Sequence, residues 1–255
     1  MKRVFLVIQF TILLLTTFSA CQHKVTVMGT ESRQYIFSRD QNNAIDTSIY
    51  LFVAPFHDSL SKSMNSILCL SAEAMTKELP EGNLGNLCAD ACMHQIKIAS
   101  STKQIPSPSF CFLNHGGLRA SLPKGPITLG NIFELMPFEN ELVLLHLSGI
   151  ATDSLIQFIA NKGGAPVSGI RFQLQNNQAL NIRITDSLLN HNAEYWVLTS
   201  DYLANGGDGF EILKKADKTI FTGLKVRDAI INELKETGLH NDTLKILKDG
   251  RISKI

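Results

Sequence analysis

Two apolar segments that run directly into glycine-rich turns are the feature of this sequence that most constrains its fold. The run 110–113 leads into Asn114–Gly117, and the run 195–199 leads into Tyr202–Phe210. Each run has the length and residue types of a buried strand, and the glycines allow backbone turns that other residues rarely adopt. Both turns therefore present exposed backbone, together with charged and aromatic side chains, to a small anionic ligand.

Elsewhere, helical and strand patterns alternate irregularly, which predicts an α/β fold with a mixed sheet. The predicted strands span 109–114, 142–148, 168–175, 179–185 and 195–199. The predicted helices span 59–79, 87–99, 128–134, 149–161 and 225–237. Asn176-Asn177 is the predicted turn of the hairpin between the third and fourth strands.

The N-terminus has the features of a bacterial export signal. Lys2-Arg3 precede an apolar run over 4–15, and Phe18-Ser-Ala-Cys21 follows it. This order predicts a signal peptide over 1–20, lipidation at Cys21, a tether over 21–45 and a domain over 46–255. The alternative is an uncleaved signal anchor, but the run is short for a bilayer. We expect an exported protein, lipid-anchored in the cell envelope on its periplasmic side.

The charge of the expected mature chain excludes one class of partner. Loss of residues 1–20 removes Lys2 and Arg3, so the 24 basic residues fall to 22, against 23 acidic residues. A chain this close to neutral has no basic surface with which to bind nucleic acid through its phosphates.

Four cysteines follow Cys21, namely Cys69, Cys88, Cys92 and Cys111. An exported protein permits disulfides, and four cysteines allow three pairings. Buried free thiols are an equally good interpretation. The spacing does not match a structural zinc site.

The turn after the first strand contains Asn114, Gly116, Gly117 and Arg119. Its glycines let a ligand approach backbone N–H donors, and the Arg119 guanidinium suits a phosphate or a carboxylate. His115-Gly-Gly resembles the oxyanion loop of lipases, but the chain has no Gly-x-Ser-x-Gly pentapeptide, so serine hydrolysis is excluded.

Four further residues are candidates for ligand contact. The Asp208 carboxylate can accept hydrogen bonds from the vicinal hydroxyls of a ribose. Phe138 and Tyr202 can stack on a flat base, with Asn140 nearby. Taken singly, these residues are more often a tight turn or core aromatics. The glycine run also resembles a calcium-binding repeat, but one copy does not make that site.

Six stretches in a fixed order give the sequence a specific resemblance. It resembles the C-terminal domain of the 5′-nucleotidase family, which includes UDP-sugar hydrolases and 2′,3′-cyclic-nucleotide phosphodiesterases, over roughly residues 60–210. The matching stretches are Glu81–Leu87, Asn114–Arg119, Gly125–Thr128, Met136–Asn140, Ser168–Arg171 and Tyr202–Phe210.

The resemblance implies a layered α/β/β/α domain and a role for each candidate. Phe138 and Tyr202 would stack on the base, and Asp208 would hold the ribose. Asn114 and Asn140 would reach polar edges of the base or sugar. Arg119, together with the Gly116-Gly117 backbone, would meet the phosphate. Asn83 to Asn86 would shape the pocket floor.

Two positions depart from the family pattern. Relatives carry arginine just ahead of the Gly82–Asn86 stretch, whereas this chain offers Lys77, a point charge without a planar fork. Glu139 stands where glycine is usual and adds a negative charge.

The resemblance also implies that chemistry belongs to a metallophosphatase domain with two metal ions. Its Asp-x-His, Gly-Asn-His and Gly-His-x-His motifs do not occur in this sequence. We therefore expect no catalytic residue, metal or cofactor on this chain, and divalent metals on a separate metallophosphatase chain that partners it.

Three functions are compatible with these patterns. The leading hypothesis is the nucleotide-recognition half of a split phosphohydrolase, inactive alone, that binds a nucleoside phosphate or nucleotide sugar. The second is a stand-alone binding lipoprotein for nucleosides or nucleotides, and in this case the missing arginine favours nucleosides over nucleotides. The third is a structural lipoprotein that has lost binding, against which Phe138, Tyr202 and Asp208 together argue.

Overall fold

The structure, a computed structural model, describes residues 31–34 and 46–255. The chain divides into two compact units, 1–48 and 49–255, and the first is described only at 31–34 and 46–48. The predicted signal peptide, Cys21 and most of the predicted tether lie outside the described residues. Within the described ranges, no helix has the length and apolar character needed to cross a membrane.

In the larger unit, helices lie on both sides of the five-stranded sheet. The α-helices are α1 Thr47–Met64, α2 Asn83–Lys103, α3 Leu129–Leu135, α4 Gly149–Asn161, α5 Asp201–Ala204 and α6 Val226–Leu239. Short 3₁₀ turns cover His115–Gly117, Gly207–Gly209 and Glu211–Lys215.

The strands of the described residues form three sheets. They are β1 Ile67–Ser71, β2 Phe110–Phe112, β3 Gly125–Thr128, β4 Glu141–Ser148, β5 Val167–Ser168, β6 Ile170–Gln175, β7 Gln178–Ile184, β8 Ser187–Leu188, β9 Glu194–Ser200, β10 Lys218–Lys225, β11 Thr243–Leu244 and β12 Ile252–Lys254. The sheet orders are β10-β4-β9-β2-β5, β12-β6-β7-β8 and β11-β1-β3. Parallel and antiparallel pairs occur in each sheet, which confirms the predicted mixed α/β class.

The central strands of the five-stranded sheet are buried on both faces. On β4, Leu142 and Leu144 belong to one hydrophobic cluster, whereas Val143, Leu145 and Leu147 belong to the other. The first cluster includes α2 and α6 residues, and the second includes α4 residues. Burial on both faces explains why these strands are continuous apolar runs in the sequence.

The four cysteines are free and buried. Burial raises the pKa of the Cys88 thiol to about 12, and it raises that of Cys92 and Cys111 as well. The structure therefore agrees with the interpretation of these residues as buried thiols, which behave as small apolar side chains.

The predicted helix over 59–79 is wrong in its position. The helix starts earlier, at Thr47, and ends at Met64, and residues 67–71 form strand β1 between β3 and β11. The strand buries Leu68 and Cys69 and pairs its backbone on both sides, and this tertiary pairing outweighs the weak helical spacing.

The other predicted elements are present, the helix over 149–161 with the predicted ends and the rest with shifted ends. The elements that were not predicted are β1, β3, β8, β10, β11, β12 and the short helix α5. Asn176 and Asn177 have φ values of 49° and 62°, as the two-residue hairpin turn requires. Thr128 caps α3 through a reciprocal capping box with Asn131.

The topology of the five-stranded sheet brings three distant segments to one edge. Strand β2 runs parallel to β9, with Cys111 opposite Leu198, and β4 runs antiparallel to β9, with Leu142 opposite Ser200. The turn after β2, the turn after β9 and the segment before β4 therefore meet where these strands end or begin.

Candidate functional site

One cavity of about 370 Å³ lies at this edge of the sheet. Every sequence-predicted ligand-contact residue lines it, from all three segments. These residues are Asn114, Gly116, Gly117, Arg119, Phe138, Asn140, Tyr202 and Asp208. The size and the mixture of aromatic and polar walls are those of a small-molecule site. Their roles toward a ligand remain predictions.

Asp208 is held in place by two side chains from different segments. Asn114 Nδ2 donates to Asp208 Oδ2 at 2.6 Å, and the Tyr202 hydroxyl donates to Asp208 Oδ1 at 2.8 Å. An ionised carboxylate offers about four acceptor positions. The carboxylate is therefore oriented by the protein and still has capacity for further donors.

The glycine-rich turn brings the Asp208 carboxylate and the Tyr202 ring together. Asp208 itself has a φ of 52°, in the left-handed region that aspartate tolerates better than most residues. A Cβ atom at Gly207 would lie 2.5 Å from the Tyr202 ring, so only glycine fits this close approach. The turn residues therefore serve the placement of these two side chains.

Phe138 and Tyr202 are not core aromatics. Their exposed fractions are 41% and 44%, and both line the cavity. The hydrogen bond with Asp208 raises the pKa of the Tyr202 hydroxyl, which keeps that group a donor to the carboxylate. The interpretation of each ring as buried core is thus wrong.

The negative charge of Glu139 is neutralised within the protein. Lys225 and Arg227 both donate to its carboxylate. These hydrogen bonds lower the pKa of Glu139 to about 2. The residue that departs from the family pattern therefore sits in an ion-pair cluster and is not a free charge opposing an anionic ligand.

Arg227 connects helix α6 to the segment that carries Phe138. Its side chain is only 7% exposed, and its Nη1 lies 3.3 Å from the Met136 carbonyl and 3.5 Å from the Phe138 carbonyl. The guanidinium also stacks on Phe133, with Cζ 4.2 Å from the ring centroid. No sequence pattern pointed to this role, because Arg227 is 89 positions away from Phe138 along the chain.

Arg119 and Asn140 retain polar groups that can meet a ligand. Arg119 Nη1 donates to the Gly116 carbonyl at 3.4 Å, and no acid pairs with Arg119 among the described residues. The Asn140 carbonyl accepts from the Val226 backbone N–H, and Asn140 lines the cavity.

Lys77 contacts the backbone of the turn over 114–119. Its Nζ lies 3.2 Å from the Leu118 carbonyl and 3.4 Å from the His115 carbonyl, and it does not line the cavity. Both ring nitrogens of His115 are shielded, and neither has a hydrogen-bond partner among the residues that the structure describes. Burial, followed by the charge of Lys77, lowers the pKa of His115 to about 4, so this ring is neutral near pH 7.

The expectation that Asn83 to Asn86 shape the floor of this cavity is wrong. Asn83 Oδ1 accepts from the backbone of Thr76 and Leu84, and Asn86 Nδ2 donates to Glu81 and to the Leu247 carbonyl. Neither asparagine lines the cavity, since both side chains are used to hold the start of α2 against neighbouring segments.

Within the described residues, one group of three potential metal ligands lies close together, namely His94, Glu233 and Glu236. It lies on α2 and α6, and none of its members lines the cavity. Among the described residues that line the cavity there is a single carboxylate and no histidine.

The fold and the cavity define a mixed α/β domain with a small-molecule-sized site at one sheet edge. The sequence profile of the family described as "5'-nucleotidase, C-terminal domain" matches residues 61–215. This match covers more than half of the 255 residues, and the chain belongs to that family.

Individual relatives agree with this assignment. The chain is 29% identical over 191 residues to the trifunctional nucleotide phosphoesterase protein YfkN of Bacillus subtilis, covering 69% of this chain and 12% of that protein. It is 25% identical over 239 residues to the 5'-nucleotidase of Vibrio vulnificus, covering 90% of this chain and 41% of that protein.

Among solved structures, the 5'-nucleotidase precursor from Thermus thermophilus is similar with a TM-score of 0.67 and 26% identity, over 82% of this chain and 43% of that one. The chain thus spans less than half the length of these three relatives.

We predict that Arg227→Met destabilises the protein by about 2–3 kcal/mol, because it leaves the Glu139 charge half-paired and two carbonyls without a donor. Lys225→Met, which removes the exposed partner of the same carboxylate, should cost less than about 1 kcal/mol. Urea unfolding of both variants measures the difference, and equal effects of the two would contradict the proposed role of Arg227 in holding this segment.

We predict that His115 makes the protein less stable at acid pH. Its pKa is lowered in the fold, so its stabilising effect is complete above the unfolded pKa of about 6.5 and is lost as pH falls toward 4. His115→Phe, which does not titrate, should remove about 1–2 kcal/mol of this fall, after allowance for partial exposure of the ring.

The measurement is the free energy of unfolding between pH 7.5 and pH 4. His240→Phe, at an exposed position after α6, is the matched control. An unchanged pH dependence in His115→Phe would mean that folding does not lower the pKa of this imidazole, and it would contradict the prediction.

Proposed function

We propose that this chain is the nucleotide-recognition part of a 5′-nucleotidase-type phosphohydrolase, with the metal-bearing catalytic part on a separate metallophosphatase chain. The observation that carries the proposal is the single cavity shared by the turn after β2, the segment before β4 and the turn after β9. Membership of the 5'-nucleotidase C-terminal domain family supports it.

Each wall of the cavity suits one part of a nucleotide. Phe138 and Tyr202 provide aromatic faces for the base. Asp208, fixed by Asn114 and Tyr202, accepts hydrogen bonds from the two ribose hydroxyls. Arg119 provides a planar donor for a phosphate, and Asn140 an amide for the base or sugar.

A pair of divalent metal ions does not fit this cavity. Two-metal centres need several carboxylate and histidine ligands, whereas the cavity contains one carboxylate and an arginine. The 255 residues also lack the metal-binding motifs named above. We therefore assign binding and orientation of the nucleotide to this chain and hydrolysis to the separate metallophosphatase chain.

A stand-alone binding lipoprotein is the second candidate. The observation that favours it concerns residues 74–80, ahead of α2. This segment contains no arginine, and Lys77 within it donates to backbone carbonyls. A protein of this kind would bind nucleosides at least as well as nucleotides.

We predict that the purified protein binds adenosine and AMP and that Asp208→Asn weakens both by about tenfold or more. The substitution replaces a charged acceptor of the ribose hydroxyls, and hydrogen bonds to charged groups contribute about 1.5–3 kcal/mol each. Asparagine tolerates the left-handed backbone at this position, so the variant should keep its fold. Isothermal titration calorimetry measures the affinities.

Asp186→Asn is the matched control, because Asp186 also has a positive φ, of 66°, and does not line the cavity. If the wild-type protein binds neither ligand, or if Asp208→Asn binds as tightly as the wild type, nucleotide recognition by this cavity is wrong.

We predict that the purified protein releases no phosphate from AMP above the buffer rate when Mn²⁺ or Zn²⁺ is supplied. The reason is that its cavity lacks ligands for a catalytic metal pair. A colorimetric phosphate assay measures this, with the Thermus thermophilus 5'-nucleotidase as positive control. Metal-dependent release by this chain alone would contradict the division between two chains.

A further inference from the structure

A second cavity, of about 390 Å³, adjoins the nucleotide cavity. The two cavities share Asn114, Gly116 and Asp208. The other residues around the second cavity are Leu79, His115, Lys162, Gly164, Ala165 and Phe210. Asp208 therefore stands at the boundary, and a ligand whose ribose meets this carboxylate has space on both sides of it.

Lys162 is the cation of the second cavity. It follows α4, and its Nζ lies 4.9 Å from the ring centroid of Phe158 and 5.9 Å from that of Phe210. These two rings form an edge-to-face pair with centroids 4.8 Å apart. Ring faces attract an ammonium group and limit its motion, but they do not neutralise its charge.

No acid pairs with Lys162 in the part of the chain that the structure describes, in contrast to Lys214, Lys225 and Lys248, each of which pairs with a glutamate. Among the described residues that line the second cavity, Asp208 is the single acid, and its carboxylate is already bonded to Asn114 and Tyr202. The positive charge of Lys162 is thus available to a ligand.

Gly116 lies at the boundary between the two cavities. A Cβ atom at Gly116 would lie 3.3 Å from Asn114 Nδ2 and 3.6 Å from Asp208 Oδ2, so this position is next to the ribose-binding carboxylate. Its carbonyl accepts from Arg119, which lines only the first cavity. A phosphate at this boundary has Arg119 on one side and Lys162 on the other.

We infer that the second cavity receives the phosphate-bearing end of the nucleotide and that Lys162 is a specificity-determining residue that favours nucleotides over nucleosides. This inference rests on the proposed function. Lys162, at the end of α4, is not among the residues that the sequence patterns singled out. In this arrangement it lies on the opposite side of Asp208 from the base.

Apart from the shared Asp208, Lys162 is the one full charge near neutral pH among the described residues that line the second cavity. His115 is neutral there because burial lowers its pKa, and Leu79, Ala165 and Phe210 are apolar. An apolar surround strengthens the interaction of a cation with an anion by lowering the local dielectric constant. One lysine is therefore enough to change the affinity for phosphate measurably.

The test is calorimetric titration of the purified protein with adenosine and with AMP, for the wild type, Lys162→Met and Lys162→Arg. We expect Lys162→Met to weaken AMP binding about fivefold to tenfold and to change adenosine binding by less than about twofold. Lys162→Arg, which keeps the charge, should restore most of the AMP affinity. Lys97→Met is the matched control, since Lys97 lines neither cavity.

Two results would overturn the inference. If wild-type protein binds both ligands and Lys162→Met changes their affinities equally or not at all, Lys162 does not read the phosphate, while the proposed function stands. If the wild type binds neither ligand, the proposed function fails and the inference fails with it. Thermal unfolding of Lys162→Met shows whether an equal loss for both ligands comes from a damaged fold.

Discussion

The parallel pairing of β2 with β9 is the constraint on which the rest of the site depends. Parallel neighbours end at the same edge of a sheet, so Asn114 and Tyr202, 88 positions apart in the sequence, follow strands that end side by side. Antiparallel β4 begins at that edge and adds the segment with Phe138. The Asn114–Asp208–Tyr202 hydrogen bonds then join the two turns directly.

Charge is distributed so that cations remain available around the two cavities. Glu139 is paired with Lys225 and Arg227, and Asp208 is held by neutral donors. Arg119 and Lys162 have no acid partner among the described residues. A site of this kind favours an anionic ligand locally, although the whole sequence is close to neutral.

The sequence predicted the mixed α/β class from its periodicity. The residues that line one cavity were predicted from strand ends followed by glycine-rich turns, together with the resemblance to the 5′-nucleotidase C-terminal domain. The roles of Arg227 and Lys162 could not be predicted, since their contacts depend on how α6 and α4 pack against distant segments. The helix expected over 59–79 failed for a related reason: β1 is defined by its neighbours β3 and β11 and not by its own periodicity. Glu139 was expected to oppose an anion, and the pairing that neutralises it is likewise a tertiary contact.

A crystal structure of the protein grown with AMP tests the central claim most directly. The account predicts density for the base between Phe138 and Tyr202, with both ribose hydroxyls within hydrogen-bonding distance of the Asp208 carboxylate. Ordered AMP elsewhere on the molecule, with this cavity empty, would contradict it.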